Sequence, residues 1–87
     1  MKIVINSCHG GFGLSDEART ALGAGYKYDW EIKRDDPKLV QVVEELGDRA
    51  DGESARLKVV EIPEGVDWLI DEFDGVEQIL DKTRVWR

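Results

Sequence analysis

The sequence has few of the residues on which specialised chemistries depend, and each shortage excludes a class of protein. A single cysteine, Cys8, excludes an internal disulfide and fits a reducing compartment. No apolar run approaches the ~20 residues that a membrane span needs. The 12 basic residues are outnumbered by 19 acidic ones, and the net charge of −7 argues against binding to nucleic acid or anionic membranes. We therefore expect a cytoplasmic protein with no direct nucleic-acid or membrane partner.

The same composition limits the size of the fold. A chain of 87 residues, 41% hydrophobic and 36% charged, is enough for one small domain, 1–87, near the lower limit for a self-sufficient core. A homodimer is one way in which so short a chain buries more surface. Met1 and Lys2 lead directly into a predicted strand, so we expect no signal peptide.

The most distinctive stretch is a glycine-rich loop between a predicted strand and a predicted helix. The β-branched run 3–5 is typical of a strand buried on both faces. Gly10, Gly11 and Gly13 end that strand and permit positive φ or close backbone approach. Ser15 then provides an N-cap for a helix that runs to about residue 22.

Two interpretations of this loop are open. It is either a tight turn with Phe12 filling the core, or a backbone cradle for an anion. The P-loop and dinucleotide-binding patterns are absent, because no Lys-Ser/Thr pair and no third spaced glycine follow. We predict that at least one of the three glycines has positive φ and that the loop borders a concave surface, which Arg34 reaches.

An alternating aromatic row predicts a second strand at 26–33. The residues on one face of it are Tyr26, Tyr28, Trp30 and Ile32. Core packing is one interpretation of this row, and a wall against a flat ligand is the other.

Residues 34–47 predict a second helix. Asp36 is a good N-cap, Pro37 suits the first helical position, and Gly47 provides a stop. The helix should run from about Pro37 to Leu46 and bury an apolar stripe, which consists of Leu39, Val40, Val42, Val43 and Leu46.

The rest of the chain predicts strands at 55–62 and 66–73, which we expect to form an antiparallel pair. Asp74-Gly75 signals a turn. For 76–82 the spacing of apolar residues fits both a helix and a strand, and a short helix or irregular segment is favoured. The tail 84–87 either adds a short strand or lies loose. The order of elements predicts an α+β fold with a small mixed β-sheet and two helices packed on one face.

Blocks of residues along nearly the whole chain carry a resemblance to known sequences. The N-terminal block reads MKIVIN-x-C-x-GGFGLS, and further blocks lie at 35–37, 42–47, 57–63 and 70–75. In these blocks the chain resembles a family of small uncharacterised phage and prophage proteins. The resemblance implies expression inside a bacterium and implies no particular activity.

The sequence offers no persuasive catalytic or metal-binding pattern. Cys8 and His9 are adjacent at a strand end and so should point in opposite directions, which disfavours a nucleophile–base pair. One cysteine and one histidine are also too few for a typical zinc site. The acidic residues at 67–77 are most simply solvent-facing strand and turn positions. We predict no catalytic residue, metal or cofactor, and enzymatic activity is the less favoured alternative.

The leading hypothesis is a non-enzymatic ligand-binding module that sequesters a nucleotide-like or other small anionic molecule in phage–host conflict. Arginines beside flat aromatics suit such ligands. The predicted ligand-binding residues are Asn6, Gly10, Gly11, Phe12, Gly13, Arg34 and Arg84. The alternative is an acidic inhibitor that occupies a basic surface of a host defence protein. A pocket holding Arg34 or Arg84 beside the loop would favour the first hypothesis, and a continuous carboxylate face the second.

Overall fold

The structure, a computed structural model, describes residues 1–23 and 32–87. The described elements are β1 (Lys2–Asn6), α1 (Asp16–Leu22), α2 (Pro37–Leu46), a 3-10 turn (Gly47–Ala50), β2 (Leu57–Glu61), β3 (Leu69–Phe73), β4 (Val76–Leu80) and β5 (Val85–Trp86). The protein has a small α+β fold, as predicted. The strand predicted at 26–33 lies almost entirely outside the described residues, so its aromatic row is not placed.

The described strands form two antiparallel sheets, where the sequence predicted one mixed sheet. β1 pairs with β2, so that Ile3 lies opposite Val60. The second sheet has the order β3–β4–β5. The predicted pairing of the strands at 55–62 and 66–73 is therefore wrong, because the first of them lies beside β1 and the second beside β4.

The β1–β2 pair lies between two hydrophobic cores. This position explains why β1 pairs with β2, since both strands have apolar residues on both faces. Val4 and Val59 pack against the helices, whereas Ile3, Ile5 and Val60 pack against the second sheet. The three central residues of β1 are fully buried. β1 is thus buried on both faces, as its β-branched run predicted. Both helices lie on one side of it.

The two helices begin and end as predicted, for the predicted reasons. Ser15 Oγ accepts a hydrogen bond from the Ala18 N–H at 3.0 Å, which caps α1. Asp36 Oδ1 accepts one from the Lys38 N–H at 2.9 Å, which caps α2. Gly47 ends α2 with a φ of 60°.

Residues 76–80 form β4, and the predicted short helix or irregular segment is wrong. Asp74 and Gly75 have φ values of 54° and 89°, and Phe73 lies opposite Val76. This is a two-residue hairpin turn, whose twist suits the flanking strands and whose positive φ values favour Asp-Gly. The hairpin pairs each residue of β4 with one of β3 and so overrides the helical spacing of its apolar residues.

Candidate functional site

Glu77 of β4 neutralises Arg34 inside the protein. Arg34 Nη1 and Nη2 donate hydrogen bonds to Oε1 and Oε2 of Glu77 at 2.6 and 2.8 Å. Glu77 is 7% exposed and the Arg34 side chain 19% exposed. The guanidinium also stacks on Phe12, with its central carbon 3.5 Å from the ring centre. Arg34 therefore reaches the glycine loop through Phe12, but its charge already has a bidentate partner.

Asn6 connects β1 to three other stretches of chain. Its Nδ2 donates to the Cys8 and Gly75 carbonyls at 2.6 and 2.7 Å. Its Oδ1 accepts from the Arg56 N–H at 2.8 Å, and its own N–H donates to Glu77 Oε1 at 2.7 Å. The residue is fully buried. Its hydrogen bonds therefore join the end of β1 to Cys8, to the residue before β2 and to the start of β4 with its preceding turn.

The glycines of the loop allow the backbone to approach itself closely. A Cβ on Gly10 would clash with the Ser54 carbonyl, and a Cβ on Gly75 would clash with the His9 carbonyl. The Gly52 N–H donates to the Gly13 carbonyl at 2.9 Å. The loop is thus packed against the stretch around 52–54 and against the β3–β4 turn.

Gly11 differs from the other loop glycines. It has a φ of 91°, which confirms the prediction of positive φ. A Cβ on it would meet no heavy atom within 4 Å. Glycine is therefore favoured at this position by the backbone conformation alone, and not by a lack of space.

The predicted ligand-binding residues fall into two places. Asn6 and Arg34 both donate hydrogen bonds to Glu77, and Phe12 of the glycine loop lies against Arg34. Arg84 lies apart, in the turn between β4 and β5, with its guanidinium carbon 5.8 Å from the Trp86 ring centre.

Cys8 and His9 face different partners. Cys8 Sγ lies 3.1 Å from the Ser54 carbonyl oxygen, whereas His9 Nδ1 lies 3.2 Å from the Asp74 carbonyl oxygen. In the described ranges 1–23 and 32–87, no three His, Cys, Asp or Glu side chains are grouped so as to hold a metal ion.

Among the described residues, the large apolar side chains that are most exposed lie on one face of the second sheet, which we call the outer face. Its residues, placed there by the strand register, are Leu69, Asp71, Phe73, Val76, Gln78, Leu80 and Val85. Phe73, Leu69 and Val85 are 79%, 57% and 51% exposed. The opposite face carries Ile70, Ile79 and Trp86 into the core. Five of the seven outer residues are apolar, which is unusual for a face in water.

A concavity of about 290 Å³ lies at the Phe73 end of the outer face. Its lining consists of His9, Asp71, Phe73, Val76, Gln78 and Arg87. Gln78 Nε2 donates to Asp71 Oδ2 at 3.0 Å, and Arg87 Nε donates to Gln78 Oε1 at 3.2 Å. His9, the residue before Gly10, lines this concavity, but the three loop glycines and Arg34 do not, so it is not the concave surface that the sequence predicted.

Charge is distributed unevenly around the outer face. Exposed acidic residues lie on and beside β3, namely Asp67, Asp71, Glu72 and Asp74. Exposed basic residues lie on the other side, beside β5, namely Lys82, Arg84 and Arg87. The β3 side therefore concentrates the negative charge of this sheet.

Sequence reasoning missed the outer face as a candidate site. The signal was present in Asp74-Gly75, which is flanked on both sides by five-residue segments that a hairpin would pair. With that pairing, Leu69 and Phe73 fall on one face together with Val76 and Leu80.

The comparisons with known proteins add no identification. No family model, curated protein or solved structure matches the chain. Within the described residues, none of the helices has the length and apolar character required to cross a bilayer.

Proposed function

We propose that this protein is an acidic binding module that covers a basic surface of another protein with its outer face. One observation carries the proposal: Phe73, Leu69 and Val85 are all more than half exposed, and all lie on that face. Apolar surface of this kind, rimmed by polar residues, is typical of interaction sites. The exposed aromatic Phe73 is the natural anchor.

Charge indicates what kind of partner fits. The net charge is −7, and the acidic residues beside β3 flank the apolar surface. A partner with Lys and Arg around an apolar patch would be attracted at long range and matched at contact. In the phage setting that the resemblance implies, this partner is a host defence protein.

Internal pairing of Arg34 supports this choice over an anion site at the glycine loop. An anionic ligand there would have to compete with the Glu77 carboxylate, which holds both ends of the guanidinium. Opening that pair would leave a charge in a largely buried place, which is costly.

The experiment is affinity capture from the bacterial host with three versions of the protein. Phe73→Lys places a cation at the proposed anchor of the contact, and Thr20→Lys adds the same charge at an exposed position of α1. We expect a basic host protein that the parent and Thr20→Lys retain, that Phe73→Lys loses, and that is released as salt rises well above ~0.15 M. Titration of the purified pair should show at least about a tenfold weaker complex for Phe73→Lys.

Equal retention by Phe73→Lys and Thr20→Lys would contradict the proposal. Equal loss of binding in both variants would also contradict the proposal, because the added positive charge alone would then account for the loss, wherever it lies.

The concavity supports a second candidate function, the sequestration of a small planar anion. The Phe73 ring, His9 and Arg87 line it, and its volume of about 290 Å³ is near the lower limit of small-molecule sites. Native mass spectrometry with ribonucleoside monophosphates would test it. We expect Arg87→Gln to abolish binding and Lys82→Gln, the matched control, to leave it unchanged. Equal binding by both variants would place the ligand elsewhere.

A further inference from the structure

Within the part of the chain that the structure describes, β3 is an edge strand of the second sheet. Among the residues that the structure describes, it pairs with β4 alone. The two-residue turn closes on Phe73 and Val76, so these residues form a hydrogen-bonded pair, and Asp71 with Gln78 forms the next. The intervening pairs, Ile70 with Ile79 and Glu72 with Glu77, are non-hydrogen-bonded pairs. The backbone N–H and C=O groups of Ile70 and Glu72 therefore point away from β4.

This edge lacks most of the devices that prevent strand addition. It has five residues in unbroken register, with no proline, no lysine and no bulge. Only Asp71 and Glu72 protect it, and both are negative. Acidic residues repel an acidic strand and attract a basic one.

A second copy of this chain is a poor occupant for that reason. Antiparallel self-pairing centred on the middle residue would place Asp71 opposite Asp71. It would also bring together two chains of net charge −7.

From the open edge and its charge we infer that β3 receives an extended basic segment of the partner as an added β-strand. This inference rests on the proposed protein-binding function and specifies how the contact is made. The added strand would lie about 4.8 Å from β3 and continue the outer face. Its side chains would then alternate to match β3: an apolar residue beside Leu69, Lys or Arg beside Asp71, and an apolar residue beside Phe73.

A synthetic peptide tests the inference without the natural partner. The probe is an acetylated, amidated peptide with the core Val-Thr-Lys-Thr-Val, and its matched control is the same peptide N-methylated at the two threonines. Binding is followed by amide NMR. At about 1 mM peptide we expect slower hydrogen exchange at the Ile70 and Glu72 amides, little change at Asp71, and no such protection with the N-methylated peptide. Absence of binding, or identical effects of both peptides, overturns the inference.

A backbone variant tests the same point in the protein. Glu72→Pro removes an N–H that points away from β4, a place where an edge strand tolerates proline. Glu72→Gln keeps the backbone N–H of residue 72. It also keeps a side-chain oxygen to accept the hydrogen bond that the Gly75 N–H donates to the Glu72 carboxylate at 2.6 Å. We expect Glu72→Pro to weaken peptide binding about tenfold and Glu72→Gln by clearly less. Circular dichroism and urea melts check that both variants are folded.

These results separate the inference from the function on which it rests. A host partner that is lost with Phe73→Lys but bound equally by Glu72→Pro and Glu72→Gln keeps the proposed function and overturns strand addition. A dimer of the parent protein in sedimentation that Glu72→Pro dissociates would show that a second copy takes the edge, and would overturn the inference too.

Discussion

The glycine loop and the outer face are neighbours that use their residues in opposite ways. In the loop, Asn6 and Arg34 are occupied by internal partners, and Gly10 lies against another stretch of backbone. On the outer face, Phe73 and Leu69 are more than half exposed. The region with the more distinctive sequence is thus the more self-contained.

The difference shows that a distinctive motif need not mark a binding site. Glycines permit close approach, but the approaching group can be the protein's own backbone, as it is where Gly75 meets His9. Buried polar residues likewise satisfy one another. By contrast, the exposed large apolar side chains of the described residues lie on β3 and β5, and this is where we propose that a partner binds.

The two faces of the second sheet give the largest contrast. Ile79 is fully buried on the inner face, so Ile79→Ala should lower the free energy of unfolding by about 4 kcal/mol through lost burial and a cavity. Phe73→Ala on the outer face should change it by less than about 0.5 kcal/mol. Urea unfolding of both variants measures the difference. A large loss for Phe73→Ala would show that the outer face is packed, which would break the comparison.

The buried ion pair should be nearly as important as the core. Glu77→Gln leaves Arg34 without its charged partner, and we expect a loss of about 3 kcal/mol by urea unfolding. Glu44→Gln is the matched control. It breaks an exposed pair with Lys2 of similar length, 2.9 Å, and should cost less than about 1 kcal/mol.

Replacing the pair by apolar residues sharpens this result. The double variant Arg34→Met/Glu77→Leu should recover only part of the stability that Glu77→Gln loses, because no unpaired charge remains but the buried Asn6 N–H loses its acceptor. If Glu77→Gln is as mild as Glu44→Gln, opening the pair costs little, and the loop returns as a candidate anion site.

Two glycines of the loop should differ in their tolerance of alanine. Gly10→Ala should cost about 2 to 3 kcal/mol, because its Cβ meets the Ser54 backbone, which must move. Gly11→Ala has open space and should cost only about 1 kcal/mol for its positive φ. Thermal and urea melts give both values. The opposite order would mean that conformation, and not self-packing, accounts for the glycines.

The smallest expected effect is a pH dependence at the β4–β5 turn. Hydrogen bonds from the Thr83 and Arg84 backbone N–H groups, at 2.7 and 2.6 Å, hold the pKa of Asp81 below its ordinary value of 3.8. A lowered pKa stabilises the fold above the ordinary value, and this contribution is lost as the pH falls through the folded-state pKa.

Asp81→Asn isolates that contribution. The parent and the variant should differ slightly in unfolding midpoint at neutral pH and converge in strong acid. Since the turn positions β5, amide exchange at Val85 should rise in the variant, while exchange near Gly10 stays unchanged. A difference that grows as pH falls would give the wrong sign and refute the assignment.

Local signals in the sequence predicted the local parts of the fold. Ser15, Asp36 and Gly47 fixed the helix ends because caps depend on a few neighbouring residues. The β-branched run of β1 predicted burial on both faces. Strand partners were harder, since the pairing of β1 with β2 depends on two cores built from distant segments. β4 could have been predicted from the sequence, because Asp74-Gly75 favours a hairpin over the helical alternative.

The candidate site was less predictable for the same reason. Arg34 was correctly expected beside the loop, but nothing near it in sequence indicated Glu77 as its partner. That pairing depends on where the hairpin docks. The exposed side chains Leu69 and Phe73 are defined only by which face of the sheet is left uncovered, and this is a property of the whole fold.

The Glu77 contacts have a consequence for how the chain folds as it is made. The Glu77 carboxylate meets the Asn6 N–H from 71 residues away and Arg34 from 43 residues away. Contacts of such long range delay folding, because most of the chain must be closed before they form. A nascent chain that lacks β4 leaves the Arg34 guanidinium unpaired and the inner core open. We therefore expect the chain to complete its folding only after the hairpin has emerged from the ribosome. Until then, we expect chaperones to bind the nascent chain.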